Sequence, residues 1–380
     1  MMQARQNLKA HAIYVHVPFC KQKCLYCDFR SQACRDVALM ECYAEQVCRE
    51  IQKRGETAVE QATIYFGGGT PSLLSLGAVQ KIVVALKEYG LWQSPAEVTI
   101  ECNPGTVDGE KLQCYRELGF DRISFGVQSF SDAELQALGR IHNMEEALAA
   151  IKMAKDAGFQ RINADLMYGI PLQTLESLEQ SINQLVALDL EHISVYGLIL
   201  EEGTPLAKLV EQGRVQVADE DLQGEMYDLV MQYLAQNGYE RYEISNFAKA
   251  GGCSIHNLVY WNYLPYLGFG TAATGFDGYQ RRTGESNLEG YLHNPLQCSY
   301  EKLTEKNIYS EFMFMNLRKT EGVELKKFAE RYGTDIVSQT LAVMQPFIDK
   351  GLAKYDEKTT NLRLTERGMA VSNVIFRELV

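Results

Sequence analysis

From residue 11 to about residue 240, short β-branched apolar runs alternate with longer stretches whose apolar residues recur every three to four positions. Period two followed by period 3.6, repeated, is the signature of parallel βα units. The alternation predicts six strands, at 12–18, 62–67, 97–102, 122–127, 161–168 and 192–200. Helices are predicted between them at 37–53, 76–89, 109–118, 144–157 and 175–188. Gly90, Gly119 and Gly158 stand just past or at the ends of three of these helices, where a left-handed cap favours glycine. The fold class is α/β, and six βα units in a row suit an open doubly wound sheet or a partial barrel equally well. After Gly238 the alternation lapses into an aromatic-rich stretch that includes His256-Asn257-Leu258-Val259-Tyr260-Trp261, then the glycine-rich Gly268 to Gly275. From about residue 310 the pattern becomes helix, helix, helix and a short hairpin, an order resembling a winged-helix unit. The chain is therefore expected to divide into a core at 1–240, a connector at 241–309 and a smaller α+β unit at 310–380.

The polar residues that break the apolar runs collect where strands end. Gly67-Gly68-Gly69-Thr70-Pro71 follows the second strand, Glu101-Cys102-Asn103-Pro104 the third, Gln128-Ser129 the fourth, and Asp165 lies on the fifth. In barrels and open α/β sheets alike, ligands bind at that edge. The three glycines let a ligand approach the backbone closely. They lack the Lys-Ser/Thr of a phosphate-binding loop and the spacing of a dinucleotide fingerprint, which excludes both readings. With Arg140, the residues Glu101, Gln128 and Asp165 present two anions, a cation and an amide. Such a set suits a ligand carrying an ammonium, a carboxylate and ribose hydroxyls.

The first strand leads into Cys20-Lys21-Gln22-Lys23-Cys24-Leu25-Tyr26-Cys27, three cysteines spaced to hold one polynuclear iron site. A [4Fe–4S] cube normally takes four thiolates, so three leave one iron open to a ligand. Paired CxxC zinc spacing is absent around this loop. Ten cysteines without a signal peptide read as reduced and cytoplasmic. The other seven, lacking mutual ligand spacing, read as small buried hydrophobes. A formal net charge of −12 and no basic tract argue against a nucleic-acid surface, and the hairpin-bearing C-terminal unit is not basic enough to bind DNA. The longest apolar runs fall short of the roughly 20 residues of a membrane span, although peripheral membrane contact stays compatible with the sequence.

The cysteine loop with its Tyr14-Val15-His16-Val17-Pro18-Phe19 prefix, the GGGTP and ECNP motifs, Phe125-Gly126-Val127-Gln128-Ser129 and Asp165 to Pro171 together resemble the radical S-adenosylmethionine proteins. Within that superfamily the chain resembles the oxygen-independent coproporphyrinogen III oxidases and their relatives, the HemW-type heme chaperones, from about residue 11 to its C-terminus. The resemblance implies a partial (β/α)6 barrel with a [4Fe–4S] cluster on Cys20, Cys24 and Cys27 and S-adenosylmethionine chelating the open iron. By position it places Tyr14 and Tyr26 near the adenine. It also places Gly68, Gly69, Thr70, Glu101, Gln128, Arg140 and Asp165 around S-adenosylmethionine. Two departures separate this chain from the oxidases: Phe29 stands where they continue as Cys-x-Cys, and only 19 residues precede Cys20. The HNxxYW motif at His256 to Trp261 matches the chaperones and implies heme contact by His256, a role open to a neutral imidazole. The expected function is thus binding of heme and its transfer to apo-hemoproteins, with an electron donor serving the cluster. Oxidative decarboxylation of coproporphyrinogen III is the alternative, and a radical methyltransferase a more distant one.

Overall fold

The computed structural model describes residues 9–379. Six strands, β1 (Ala10–Val17), β2 (Ala58–Gly68), β3 (Val98–Cys102), β4 (Arg122–Gln128), β5 (Arg161–Tyr168) and β6 (His192–Gly197), lie side by side in sequence order. Every neighbouring pair is parallel. Helices Val37–Arg54, Leu76–Glu88, Gly109–Leu118, Met144–Asp156 and Leu175–Ala187 fall between successive strands, as the alternation predicts. Their starts are set locally: the side chains of Asp36, Ser75, Asp108, Asn143 and Thr174 each accept from a backbone N–H in the first turn. Such a cap is worth about 1 kcal/mol. The helices press one apolar stripe on the sheet, where Ile64, Phe66, Ile100, Phe125 and Ile193 are fully buried. Burying each such side chain contributes about 1.5–3 kcal/mol.

The sheet does not stop at six strands. On the free side of β6 lie β7 (Glu240–Arg241) and β8 (Asn246–Ala248), with β8 antiparallel to both neighbours. Beyond β1 come β9 (Tyr266–Phe269), which pairs parallel to it, and the antiparallel β10 (Thr274–Phe276), β11 (Gln280–Gly284) and β12 (Cys298–Lys302). The result is one twelve-stranded sheet, ordered β12-β11-β10-β9-β1-β2-β3-β4-β5-β6-β8-β7. The stretch at 241–309 therefore supplies strands to both sides of the six. These strands escape a reading of periodicity because they are two to five residues long and several, such as Gln280-Arg281-Arg282-Thr283-Gly284, carry polar side chains on both faces.

Strand β6 ends at Gly197, three residues before the apolar run does. Its only parallel neighbour, β5, ends at Tyr168 opposite Gly197, so no ladder remains for Ile199 and Leu200, which stand exposed. A second hydrophobic core, running from Met313 to Ile375, is separate from that of the sheet. It is enclosed by helices Glu305–Leu317, Leu325–Tyr332 and Thr334–Asp349 and a small sheet of β13 (Val323–Glu324), β15 (Asn361–Leu364) and β14 (Ala353–Asp356), in that order. Buried Glu243 ties the two parts, accepting from the Ser245 N–H at 3.0 Å and from Arg318 at 3.2 Å. Among the described residues no helix is long and apolar enough to cross a membrane.

Candidate functional site

The C-terminal ends of β1 to β6 and the loops that follow them enclose a cavity of about 310 Å³. Its wall includes Cys20, Cys24 and Cys27, and with them Tyr26, Gly68, Gly69, Thr70, Glu101, Gln128, Arg140 and Asp165. Eleven residues scattered over 146 positions of sequence are thus brought to one rim, because all six strands run in the same direction and end on the same side. Tyr14 and His256 are the two expected site residues that do not line it.

All ten cysteines are free thiols. Among the described residues no three His, Cys, Asp or Glu side chains close on a single metal ion. The three thiols instead spread around a shared cavity, an arrangement suited to a polynuclear cluster and unsuited to a mononuclear site. Two sulfurs have donors: Thr70 Oγ1 lies 3.7 Å from Cys20 Sγ, and Arg140 Nη1 lies 3.3 Å from Cys24 Sγ. Such groups stabilise thiolate charge and tune a cluster's potential. Burial raises the pKa of Cys20 and of Cys27.

Glycine is required in the loop after β2 for a reason internal to the protein. A Cβ on Gly68, whose φ is +112°, would sit 2.5 Å from the His16 ring, and one on Gly69 would sit 2.7 Å from the Phe19 carbonyl oxygen. The loop is pressed onto the segment that leads into the cysteines. His16 completes this joint: one ring nitrogen donates to the Arg30 carbonyl at 2.8 Å, and the other accepts from the Tyr14 hydroxyl at 3.0 Å. Burial lowers the pKa of His16, which keeps the imidazole neutral as that pattern needs. Tyr14 therefore supports the rim from within the sheet, with its ring stacked on Tyr65.

The rim's charges are buried and mutually dependent. Arg140 donates to Asn103 Oδ1 at 2.9 Å and also to the Gly126 carbonyl. Asn103 in turn donates to Thr70 Oγ1 at 3.0 Å, linking the cation to the glycine loop. Gln128 carries a positive φ of 75°, a conformation uncommon for residues other than glycine and often held at functional sites. Its side-chain oxygen accepts from the Tyr196 hydroxyl at 3.2 Å. Asn103 stood in a motif recognisable in sequence; Tyr196, which also faces the cavity, had no sequence signal.

Glu101 accepts from Tyr65 Oη at 2.7 Å and from the Gly68 N–H at 3.0 Å, yet burial dominates and pushes its pKa up to about 7. Burial likewise raises Asp165 to about 6, against the opposing pull of Asn163, Ser194 and Arg140. A carboxyl group that binds its proton more tightly folded than unfolded loses stabilising free energy as pH rises from about 4.5 to about 7. Glu101→Gln should therefore stabilise the ligand-free protein by about 3 kcal/mol more at pH 8 than near pH 4.5, since the hydrogen bonds lost with the carboxylate lower the unfolding free energy at both pH values and cancel from that difference. Denaturant titrations at the two pH values measure this, and equal effects at both would refute it.

His256 sits beneath the rim. Its peptide N–H donates to buried Glu97 at 3.0 Å, its Nδ1 lies 2.8 Å from Thr63 Oγ1 and its Nε2 lies 2.9 Å from the Tyr260 hydroxyl. The ring stacks on Tyr65, and burial pushes its pKa down to about 3. Both ring nitrogens are engaged by protein, so in this conformation neither is available to an iron. His256→Ala is expected to destabilise the fold by about 1–3 kcal/mol by stranding Thr63 and Tyr260. A denaturation midpoint equal to wild type would overturn that structural role.

Comparison with known proteins places this geometry in a family. The Radical SAM superfamily description matches residues 14–185, and the HemN C-terminal domain matches residues 303–371. The chain is 37% identical over 373 residues to the heme chaperone HemW of Bacillus subtilis, covering 96% of this chain and 97% of that protein. It is 33% identical to the heme chaperone HemW of Escherichia coli, again covering 96% and 97%. The solved structure of the coproporphyrinogen III oxidase HemN from Escherichia coli superposes with a TM-score of 0.85 over 99% of this chain and 91% of that one. At 21% identity that likeness establishes a shared fold and no more. With cysteines, glycine loop and buried charges on one rim, and with full-length identity to these chaperones, the chain belongs to the HemW family of the radical SAM superfamily.

Proposed function

We propose that this protein binds heme and passes it to apo-hemoproteins, with a [4Fe–4S] cluster on Cys20, Cys24 and Cys27 and S-adenosylmethionine beside it. The observation that carries the proposal is identity over nearly the whole length to proteins named heme chaperones. The site adds support at Phe29, which is 63% exposed at the mouth of the cavity where the oxidases place a further cysteine.

In this reading the strands β1 to β6 form a partial (β/α)6 barrel within a core at 1–240, followed by the HNxxYW-bearing segment at 241–309 and a winged-helix-like unit at 310–380. When bound, the cluster and S-adenosylmethionine supply one-electron cleavage of a sulfonium, for which an external electron donor is needed. This chain's residues hold and orient. Arg140 offers its guanidinium to a carboxylate, Glu101 and Asp165 accept from an ammonium or ribose hydroxyls, and the Gly68–Thr70 backbone offers polar groups at the edge. Tyr26 and Met167 give the same cavity apolar surface for a base.

The proposal is tested by anaerobic assay of the cluster-loaded protein with coproporphyrinogen III, S-adenosylmethionine and a reductant, beside a heme titration. Heme uptake with no protoporphyrinogen formed is the expected pair of results. Sustained multiple-turnover decarboxylation would replace the chaperone with the oxidase.

A further inference from the structure

Below the rim, three neighbouring strands place polar residues side by side. Asn163 on β5 is opposite Ser124 on β4 and His192 on β6. Each is one residue away from an apolar position of the core, Phe125, Ile162 or Ile193, so all three point to the other face of the sheet. Asp165, two residues along β5, shares that face and lines the cavity, which Asn163 and His192 do not. Those two are only 4% and 2% exposed. Polar side chains buried so deeply cost stability unless their atoms find partners.

The bonds that satisfy them have a fixed direction. Asn163 Nδ2 donates to Asp165 Oδ1 at 2.7 Å and to Ser124 Oγ at 2.8 Å. Asn163 Oδ1 is left to accept, from Ser194 Oγ at 3.2 Å and from His192 Nδ1 at 2.6 Å. Burial, helped by the nearby Arg122, holds the His192 pKa well below its ordinary value, so the ring is neutral and carries one N–H. That proton is on Nδ1. Nε2 must accept, and the Tyr242 hydroxyl 2.9 Å away donates to it. The Tyr242 oxygen accepts in turn from the Ser254 N–H at 3.3 Å. Turning the Asn163 amide over would set its oxygen against the Asp165 carboxylate and its NH2 against the His192 Nδ1–H. One tautomer of His192 therefore fixes which way Asn163 points.

We infer that Asn163 and His192 are positioning residues for the S-adenosylmethionine site: His192 locks the Asn163 amide so that its N–H holds the Asp165 carboxylate in one orientation towards the cavity. The inference rests on S-adenosylmethionine occupying that cavity and adds to the reading the residues that prepare one wall for it. A carboxylate held before the ligand arrives loses little freedom when it accepts from a ribose hydroxyl or an ammonium, and affinity is gained there. Without the lock the amide can turn, its oxygen then repels the carboxylate, and Asp165 leaves its place.

The test measures S-adenosylmethionine binding by equilibrium dialysis on the full-length, cluster-loaded protein of measured iron content. Two substitutions separate the two ring nitrogens. The amide nitrogen of His192→Asn stands near the place of Nδ1 and can still donate to Asn163, whereas that of His192→Gln stands near Nε2 and cannot. His192→Gln should weaken binding about tenfold and His192→Asn by less than about threefold. In an Asp165→Ala background, with ligand concentrations raised to match its weaker binding, neither substitution should change the affinity further, because no carboxylate is left to hold. Tyr242→Phe removes a single oxygen and carries the same test should the His192 variants not fold. It should weaken binding about threefold with Asp165 present and not at all without it. Affinities of His192→Gln and Tyr242→Phe equal to wild type would overturn the inference, as would losses of the same size with and without Asp165, the mark of a purely structural role. The cofactor reading would stand in either case. Wild type that binds no S-adenosylmethionine would remove that reading, and this inference with it.

Discussion

Cys24→Ala protein, reconstituted anaerobically with iron and sulfide, is expected to show about one-tenth or less of the wild-type visible iron–sulfur absorbance. In the proposed site only three thiolates hold the cube, so losing one removes a third of its anchoring, and no other described cysteine lines the cavity near enough in sequence to replace it, Cys102 being committed to the end of β3. Cys34→Ala is the matching control, because Cys34 supports the loop through its backbone N–H to the Cys20 carbonyl at 2.8 Å, a bond alanine keeps. Assembly on wild type should also become more favourable as pH rises from 7 towards 9. Burial holds Cys20 and Cys27 above the usual thiol range, and cluster binding must release their protons. Full absorbance from Cys24→Ala would remove Cys24 from the ligand set.

Arg140→Lys is expected to weaken S-adenosylmethionine binding by about ten- to a hundredfold while leaving the iron content nearly unchanged. Arg140 uses a planar fork to reach Cys24 Sγ, Asn103 Oδ1 and the Gly126 carbonyl at once, a geometry that the point charge of lysine cannot reproduce. It is also the cation facing Glu101, Asp165 and Gln128 from within the cavity wall. Lysine keeps the charge but does not hold it in this place, so the ligand carboxylate would lose a fixed positive partner and Asp165 a fixed neighbouring charge that favours its ionised form. Equilibrium dialysis on protein of measured iron content separates the two effects. A change in affinity of less than about twofold would show that Arg140 serves the fold alone.

Much of this was legible in the sequence, for identifiable reasons. Parallel strands buried on both faces read as dense apolar runs, so all six of them and the five intervening helices fall within a few residues of their predicted bounds. The cysteine loop was legible because ligand spacing is local. Strands β7 to β12 were not legible, because they are two to five residues long and several carry polar side chains on both faces, which leaves no hydrophobic alternation to read. The end of β6 was misplaced for a related reason: hydrophobicity continues to Leu200, but the partner strand has run out. His256 is the sharpest case. A histidine amid aromatics reads equally as a metal ligand or as a core residue, and only its contacts with Thr63 and Tyr260 put it in the interior.

The sequence by itself determined the α/β class, the order of strands and helices, the three-cysteine loop after the first strand and the polar residues at strand ends. These depend on periodicity, spacing and capping, which act over a few residues. Only the tertiary structure decided that Arg140 reaches Cys24, that Gly68 is glycine because His16 lies against it, and that Tyr14 and His256 stand behind the rim. Those relations span up to 193 residues of chain, as between Thr63 and His256. They are fixed by how the strands pair and which faces they bury, information that no local window of sequence contains.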